Sequence, residues 1–274
     1  MLDKMTYTNH LNQTIEFGSN GIFLNECDVR DYAWEYDSTN QRISNFRKGV
    51  VKKKANIVIL ADTDERGVYL KNRIFEILEQ DILAEKKGRL QIGDYYYPCY
   101  IFSSKKSDHL LHKNYMINEV EIVSDNSNWF KETLFQLKRE QNDDNTDLKS
   151  YPYGYPYGYT NFVSSGNIMN GFFTTSDFIM RFYGGVTNPA IAIAGHLYQL
   201  NVALNNREYA EINSRDKTIT LFKKNGNTEN IFWMADKSSY IFEKIPVGSS
   251  VIVWNGSFDV DITLLYERSE PEWT

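Results

Sequence analysis

The sequence predicts a mainly β protein with two domains, an α+β domain followed by an all-β domain. Aromatic residues make up 15% of the 274 residues, and aromatic and β-branched side chains favour strands over helices. Apolar positions alternate along most of the chain and adopt a helical period only once, at about 65–85. The second half is a series of short strand-like segments, and the length is sufficient for two hydrophobic cores.

Predicted strands flank the helix on both sides in the first half of the chain. Before it, apolar alternation or a compact apolar run marks TIEFG (14–18), GIFLNECDVR (21–30), DYAWEYD (31–37) and ANIVILAD (55–62). After it, the same patterns mark GRLQIGD (88–94), YYYPCYIFSS (95–104), NYMINEVEIVSD (114–125) and NWFKETLFQLKRE (128–140). One amphipathic helix among many strands is typical of an α+β domain.

The predicted helix has one apolar face and a signal at each end. The apolar face consists of residues at helical spacing: Leu70, Ile74, Ile77, Leu78 and Ile82. Asp62 is predicted to cap the first turn, with Glu65 as its reciprocal partner. Lys86-Lys87-Gly88 is predicted to supply cations to the last turn and a glycine that ends the helix.

The second half is predicted to be a β-sandwich or jelly roll. Its strand-like segments are FIMRFYG (178–184), AIAIAG (190–195), LYQLNVAL (197–204), TITLFKK (218–224), NIFWMA (230–235), YIFEKI (240–245), SVIVWNG (250–256) and FDVDITLLYE (258–267). Asn225-Gly226 and Asn255-Gly256 stand where hairpin turns are expected, because Asn-Gly suits tight turns between antiparallel strands. No helical pattern interrupts this series, which is typical of a sandwich.

We expect domains at 1–140 and 161–274, joined by a linker at 141–160. The segment 139–150 is polar and rich in turn residues, and YPYGYPYGY follows it at 151–159. Each proline restricts the preceding tyrosine to extended conformations, whereas each glycine permits a turn. The tyrosines favour partial burial, so we interpret the repeat as a semi-stiff joint formed by Tyr151, Pro152, Gly154, Pro156 and Gly158.

The charge is mildly acidic in both halves, which argues against a nucleic-acid-binding protein. Residues 1–150 carry 21 Lys and Arg against 24 Asp and Glu, and residues 151–274 carry 9 against 12. The dense basic run at 47–54 is interpreted as a solvated turn rather than a phosphate site. Cys27 and Cys99 are expected to be buried thiols in a reducing compartment. No signal peptide or membrane span is predicted.

The search for catalytic or metal-binding patterns predicts no catalytic residue, no cofactor and no metal site. His109 and His112 show the one candidate metal spacing, but positions three apart on a strand point to opposite faces. The acidic run in 142–147 lacks the glycine and the distal glutamate of a calcium loop. Asp259 and Asp261 share a strand face, as a glycosidase pair would, but alternation explains them as a solvent face. The protein is therefore predicted not to be an enzyme.

Aromatic side chains of the sandwich leave a sugar-binding surface open as an alternative. Trp233, Trp254 and Tyr198 lie in predicted strands, where core packing and an exposed platform for a sugar ring are both compatible with the pattern. His196 and Asn201 add polar groups of the kind that such sites use.

The C-terminal third resembles the distal tail (Dit) proteins of long-tailed phages that infect Gram-positive bacteria. The motif residues are a strand start at Gly185, Asn188 and Pro189, a strand entry at Glu211, Ile212, Asn213 and Ser214 before Lys217-Thr218-Ile219, a strand with Pro246, Gly248, Ile252 and Trp254, and an ending with Pro271 and Trp273. The motifs cover roughly 160–274. The N-terminal half agrees in architecture, with Phe17-Gly18 and the following strands as its closest match.

The resemblance implies a structural protein of the virion. It implies a homohexameric ring at the tail tip, made in the host bacterial cytoplasm, with a ring-forming domain at 1–140, a galectin-like β-sandwich at 161–274 and a central channel for DNA. The implied partners are the major tail protein of the tail tube, the tail-associated lysin or fibre protein, and receptor-binding or baseplate proteins. Sequence-specific nucleic-acid binding and membrane association are not implied. The alternative is a tail adhesin that binds host cell-wall glycan through the sandwich.

Overall fold

The computed structural model describes residues 5–108, 112–139 and 164–273. The chain forms two compact units, each with its own hydrophobic core. The first unit is Met1–Lys131 together with Glu267–Thr274, and the second is Glu132–Tyr266. Antiparallel strands dominate both, which confirms the mainly β prediction. The predicted joint at 151–159 lies outside the described residues and stays a prediction.

The first unit contains one long helix among its strands. The elements are β1 (Met5–Thr8), β2 (Thr14–Phe17), β3 (Ile22–Cys27), β4 (Glu35–Thr39), β5 (Arg42–Arg47), β6 (Val51–Leu60), α1 (Asp64–Leu83), β7 (Gly88–Ile92), β8 (Tyr95–Ser107), β9 (Tyr115–Ser124) and β10 (Trp129–Leu137).

Strand β8 joins two groups of strands in the first unit. Its first residues pair with β7, from Ile92↔Tyr95 to Gly88↔Cys99, and its later residues pair with β9. A shift of register between Ile101 and Ser103 marks a bulge, which bends the strand between its two partners. The resulting antiparallel order is β2–β1–β7–β8–β9–β6–β3. The buried residues of α1 complete the core beneath these strands.

The N-cap of helix α1 is Thr63, one residue later than the predicted cap Asp62. Thr63 has an extended backbone, and its hydroxyl accepts a hydrogen bond from the Arg66 N–H at 3.2 Å. The prediction that Asp62 caps the helix is therefore wrong, because Thr63 is the residue directly before the first helical turn. The predicted apolar face is buried at Leu70, Ile74, Ile77 and Leu78.

The end of α1 was also wrongly predicted. Glu85 adopts φ of 51°, its N–H donates to the Ile82 carbonyl at 3.1 Å, and the Lys86 N–H donates to the Asp81 carbonyl at 3.0 Å. This pair of bonds is a Schellman motif with glutamate in the left-handed position that glycine usually occupies. No basic residue lies in the last turn of α1, and Gly88 belongs to β7 instead.

A buried polar cluster fixes the C-terminal half of α1 to β1. The Asp81 side chain is fully buried and accepts the Tyr7 hydroxyl at 2.6 Å and the His10 N–H at 2.9 Å. The His10 Nδ1 lies 2.6 Å from the same carboxylate. Burial raises the pKa of Tyr7, because its charged form would lose hydration, and the Asp81 carboxylate acts in the same direction. A Cβ at Gly88 would lie 2.3 Å from the Tyr7 hydroxyl, so glycine is required there.

The second unit contains short strands and one turn of 3₁₀ helix at Phe232–Met234. The strands are β11 (Ser164–Asn170), β12 (Asp177–Tyr183), β13 (Val186–Thr187), β14 (Ala190–Ile193), β15 (His196–Gln199), β16 (Ala203–Leu204), β17 (Tyr209–Asn213), β18 (Thr218–Phe222), β19 (Thr228–Asn230), β20 (Gly248–Trp254) and β21 (Val260–Arg268).

Two antiparallel sheets enclose the core of the second unit. One has the order β19–β18–β17–β12–β21, and the other has the order β11–β20–β14–β15. Alternate residues of both sheets are fully buried, among them Phe178, Phe182, Ile193 and Val260. Inward-facing apolar residues on two sheets are the packing of a β-sandwich.

Two predicted strands of the second unit are wrong. Phe232–Met234 is a 3₁₀ helix, and it begins where the Asn230 side chain accepts the Phe232 N–H at 2.9 Å. The segment 240–245 has a single isolated bridge, Ser176↔Ile245, in the part of the chain that the structure describes. Apolar content without strict alternation therefore misled the sequence interpretation at both places.

The two Asn-Gly turns have different outcomes. Asn225-Gly226 lies in a hairpin between β18 and β19, where Gly226 has φ of 83°, as predicted. Asn255-Gly256 connects β20 to β21, which lie in different sheets, so the predicted hairpin is wrong there.

The boundaries of the two units fall inside strands. The chain leaves the first unit within β10, between Lys131 and Glu132, and returns to it within β21, between Tyr266 and Glu267. The C-terminal residues from Glu267 onwards thus group with the first unit, although the sequence placed them with the second domain. Whether 1–140 and 161–274 fold as separate domains stays a prediction.

Substitution of Gly88 by alanine should destabilise the first unit. The added Cβ would overlap Tyr7 and Asp81, and such overpacking typically costs about 1–3 kcal/mol in the free energy of unfolding. Differential scanning calorimetry should show a lower Tm for the transition of this unit. Gly171→Ala, where a Cβ would meet open space, is the matched control. Equal Tm values for the two variants would contradict the close packing.

Candidate assembly surfaces

A two-stranded hairpin of the first unit, here called the arm (residues 35–47), carries exposed apolar side chains. Strands β4 and β5 pair from Glu35↔Arg47 to Thr39↔Arg42, and among the described residues neither pairs with another strand. Every residue of β5 is exposed. The large apolar side chains on the arm and its root are between 48% and 70% exposed: Tyr32, Trp34, Tyr36, Ile43, Phe46 and Val50.

The exposure of the arm indicates a contact surface. A lone hairpin is marginally stable in water, and a contiguous exposed apolar patch marks a site of association. The sequence predicted a strand at 31–37, but it did not predict β5 or the exposure of either strand. The segment that could have indicated an exposed strand is RISNFR (42–47), which follows the turn residues of 38–41. Its two apolar residues, Ile43 and Phe46, stand among polar residues and do not alternate strictly with them.

The root of the arm is held by a buried lysine. Lys53 is 4% exposed, and its Nζ donates to the carbonyls of Asp28 at 3.3 Å and Val29 at 3.0 Å, and also to that of Asp31. Desolvation lowers the pKa of Lys53, and the nearby carboxylates of Asp28 and Asp31 oppose this effect. The interpretation of 47–54 as a solvated turn is therefore wrong for Lys53, whose amine fixes the chain that enters the arm.

A second apolar surface of the first unit lies along α1. Phe75 on the helix and Phe102 on β8 are exposed, and together with Leu78, Ile82 and Ile101 they line an open groove. We call these five residues the helix groove. Its rim carries charges of both signs, Lys71, Glu79 and Lys106. Ser103, Ser104 and Asn118 also line the groove, so it is a mixed surface on which Phe75 and Phe102 are the exposed aromatic residues.

The motif residues of the second unit that were predicted from the resemblance occupy structural positions. Gly185 and Asn188 have φ of 94° and 52°, and their N–H groups donate to the carbonyls of Leu204 and Val202, each at 2.8 Å. Pro189 is buried, and its carbonyl accepts the Leu200 N–H at 3.1 Å. These bonds hold the segment 185–189 against 200–204.

Two further motif residues of the second unit, Gly248 and Trp254, are the first and last residues of β20. Gly248 has φ of 88°, the left-handed region that favours glycine. Trp254 is buried, and its Nε1 donates to the Phe258 carbonyl at 3.2 Å. Both positions shape the strand and its exit.

Pro271 and Trp273, the motif residues at the C-terminal end, lie in the first unit beside the root of the arm. Pro271 is buried, and its carbonyl accepts a hydrogen bond from Arg30 Nη1 at 3.2 Å. The Arg30 guanidinium lies 3.9 Å from the ring centroid of Trp273, a side chain that is 73% exposed.

The carboxylates of β21 and its entry bind neighbouring groups at the surface. Asp261 accepts the Tyr183 hydroxyl at 2.8 Å and the Gln136 amide at 3.1 Å, and Asp259 accepts the Arg139 N–H at 2.8 Å. Burial and the bond to Asp261 raise the pKa of Tyr183 to about 12. Phe258, Val260 and Ile262 point into the core, as the alternation predicted.

The three aromatic residues considered for sugar binding separate into core and surface. Tyr198 and Trp254 are buried, whereas Trp233 is 67% exposed beside exposed Phe232. Exposed Tyr240 and Phe232 both contact the ring of Phe242, each with a centroid distance of 5.9 Å. The sequence placed Trp233 in a strand, but the 3₁₀ turn exposes it.

The polar residues considered with them approach the same surface. His196 Nε2 lies 2.9 Å from the Tyr240 carbonyl, and the Asn201 N–H donates to the Met234 carbonyl at 2.7 Å. We call Phe232, Trp233 and Tyr240 the aromatic patch.

The histidine pair considered for a metal site falls only partly within the described residues. His109 lies outside the described residues, and His112 is exposed. A search of the described ranges finds no group of three or more His, Cys, Asp or Glu side chains that could hold a metal ion. The one long helix in the described part of the chain is not apolar enough to cross a membrane.

Comparisons with known proteins identify the fold. No family model and no curated protein matches the chain. A chain of the phage P2 baseplate in its activated conformation with calcium has a TM-score of 0.62 at 12% identity, covering 99% of this chain and 100% of that one. The same baseplate with strontium has a TM-score of 0.62 at 11% identity, covering 99% and 100%. The SPP1 Dit protein, described as a paradigm of hub adsorption apparatus in phages that infect Gram-positive bacteria, has a TM-score of 0.57 at 8% identity, covering 96% and 99%.

The matches extend over almost the full length of both partners, so the complete architecture is shared rather than one common domain. The fold is that of phage baseplate and hub proteins. More narrowly, it is the Dit-type fold, as the resemblance had predicted.

Both thiols should be unreactive in the folded protein. Burial raises the pKa of Cys27 to about 11 and of Cys99 to about 12, although Cys27 is half-buried rather than fully buried as expected. Because each group is protonated below its raised pKa, little thiolate exists at pH 8. Alkylation by iodoacetamide, followed by mass spectrometry, should be at least about 100-fold slower than in the unfolded chain. Rapid labelling of either cysteine in the folded chain would contradict this environment.

Proposed function

We propose that this protein is a structural component of a phage tail tip, a distal tail (Dit) protein that assembles as a homohexameric ring. The observation that carries the proposal is the full-length match to baseplate and hub chains, combined with an arm whose apolar side chains are exposed. In this role the ring joins the tail tube to the tail-associated fibre or lysin and to receptor-binding or baseplate proteins. Its site is the tip of the virion, and it is made in the host bacterial cytoplasm.

Ring formation requires two unlike surfaces on each copy. A head-to-tail contact joins one patch of a subunit to a different patch of the next, and it closes when the rotation allows. The arm supplies one apolar patch and the helix groove supplies a different one. We propose that the arm of one copy docks in the helix groove of the next.

The charge and the site chemistry agree with a channel-forming structural role. The net charge of −6 leaves no basic surface excess that would retain DNA in a central channel. The carboxylates of Asp259 and Asp261 are bonded to neighbouring groups at the surface. A non-enzymatic function therefore fits the described residues best.

Self-association of the purified chain tests the ring. Mass photometry and sedimentation should detect a species of six times 32.0 kDa, about 192 kDa. Replacing Tyr36 and Phe46 together with serine should weaken association at least about tenfold, because buried aromatic anchors dominate interface energies. The matched control is Phe173→Ser, which removes a 73% exposed phenylalanine from the second unit.

Mixing experiments identify the acceptor surface. Phe75→Ser in the helix groove should impair the ring as the arm variant does. An equimolar mixture of the two variants should form dimers, since the intact arm of one meets the intact groove of the other. A chain that stays monomeric at all concentrations, also with the tail-tube protein of the same phage, would overturn the ring. Normal rings from the arm variant would overturn the role of the arm.

A carbohydrate-binding adhesin is the second candidate, and the aromatic patch favours it. Phe232, Trp233 and Tyr240 are exposed, while His196 and Asn201 contact the same segments. Sugars bind exposed aromatic faces flanked by hydrogen-bonding groups. The patch lies in the second unit, so this candidate is compatible with a ring built by the first.

Binding to purified Gram-positive cell walls tests the adhesin. Trp233→Ala should reduce sedimentation with the walls about tenfold, because loss of a stacked ring removes roughly one order of magnitude in affinity. Phe173→Ala, an exposed aromatic residue of the same unit outside the aromatic patch, is the control and should bind as the parent does. The adhesin would be contradicted if the parent protein does not bind to the walls, or if Trp233→Ala binds as well as the parent. Only the structural role would then remain.

A further inference from the structure

The segment Glu267–Trp273, here called the tail segment, meets the root of the arm in the first unit. Two cations border the arm: Arg30 lies five positions before β4, and Lys48 follows β5 directly. The side chains of both cations donate hydrogen bonds to the tail segment, although more than two hundred residues separate them from it along the chain.

Lys48 is held by two oxygen acceptors and one ring. Its Nζ donates to Ser269 Oγ at 2.7 Å and to Asn128 Oδ1 at 2.6 Å, and it lies 4.5 Å from the Trp34 ring centroid. Asn128 in turn donates to the Glu267 carboxylate at 3.2 Å. Hydrogen bonds to a charged group are stronger than neutral ones, so this cluster fixes the exit of the arm.

Arg30 is held at the entry of the arm by two contacts with the tail segment. Its Nη1 donates to the Pro271 carbonyl at 3.2 Å, and its guanidinium stacks on Trp273 at 3.9 Å. The planar guanidinium can lie flat on a ring while its edge donates in fixed directions, whereas a lysine amine is a compact charge without that planar geometry. The tail segment is itself braced by an ion pair between Arg268 and Glu272.

We propose that the tail segment is a clasp that positions the arm for assembly. Strands β4 and β5 have no other strand partner in the described ranges, so the direction of the arm depends on its root. The clasp holds both ends of that root. Its contribution to assembly rests on the proposed function, since a pre-oriented arm loses less conformational freedom on docking than a free one.

Hydrogen–deuterium exchange on the full chain tests the clasp directly. Arg30→Ala and Trp273→Ala should each accelerate amide exchange across residues 35–47, by about tenfold for Arg30→Ala, which removes a charge-assisted bond and a stack. Arg30→Lys keeps the charge and should show an intermediate rate. The control is Trp233→Ala, an exposed tryptophan of the second unit, which should leave the arm unchanged.

The measurement is made at dilutions at which the chain is monomeric, so that it is independent of the ring. Parental exchange rates in both Arg30→Ala and Trp273→Ala would overturn the clasp. Faster exchange with unchanged ring formation would support the clasp and contradict arm-mediated assembly. Faster exchange together with weaker ring formation would support both.

Discussion

A charged amine buried inside the first unit determines how the chain enters the arm. Lys53 is almost fully buried, and burial of an unpaired charge is strongly unfavourable. The carbonyls of Asp28, Val29 and Asp31 compensate for the lost hydration, so the loop must wrap around the amine. The segment that follows then leaves the unit at a defined place. The chain then continues into the arm, whose apolar side chains are exposed.

Local patterns were sufficient to predict most elements of the fold. The period of two at β9 buries Met116, Val120 and Ile122, and the helical period of α1 buries Leu70 and Ile74. Both are properties of residues that are near neighbours in the chain. The ends of α1 were mispredicted because several residues could serve as caps, and the backbone conformation at Thr63 and Glu85 decides between them.

The candidate surfaces could not be predicted in the same way. Alternation shows that a strand has two different faces, but it does not show whether any other element covers them. Tyr36 and Phe46 have the side chains of core residues, and their exposure follows from the absence of a covering strand among the described residues. Contacts between Arg30 and Trp273 join distant parts of the chain, and the resemblance identified Pro271 and Trp273 as motif residues without indicating what they touch.

In the proposed ring, closure would make the direction of the arm as important as its composition. Six identical head-to-tail contacts must each turn the chain of subunits by about 60°, and any deviation accumulates around the ring. An arm with a loose root would still present Tyr36 and Phe46 to a neighbour, but it would permit many rotations and therefore open chains. Contacts at both ends of the root, through Lys48 and Arg30, restrict the arm to one direction. In the proposed assembly, the apolar side chains would thus provide affinity, whereas the polar contacts at the root would provide the geometry that a closed ring requires.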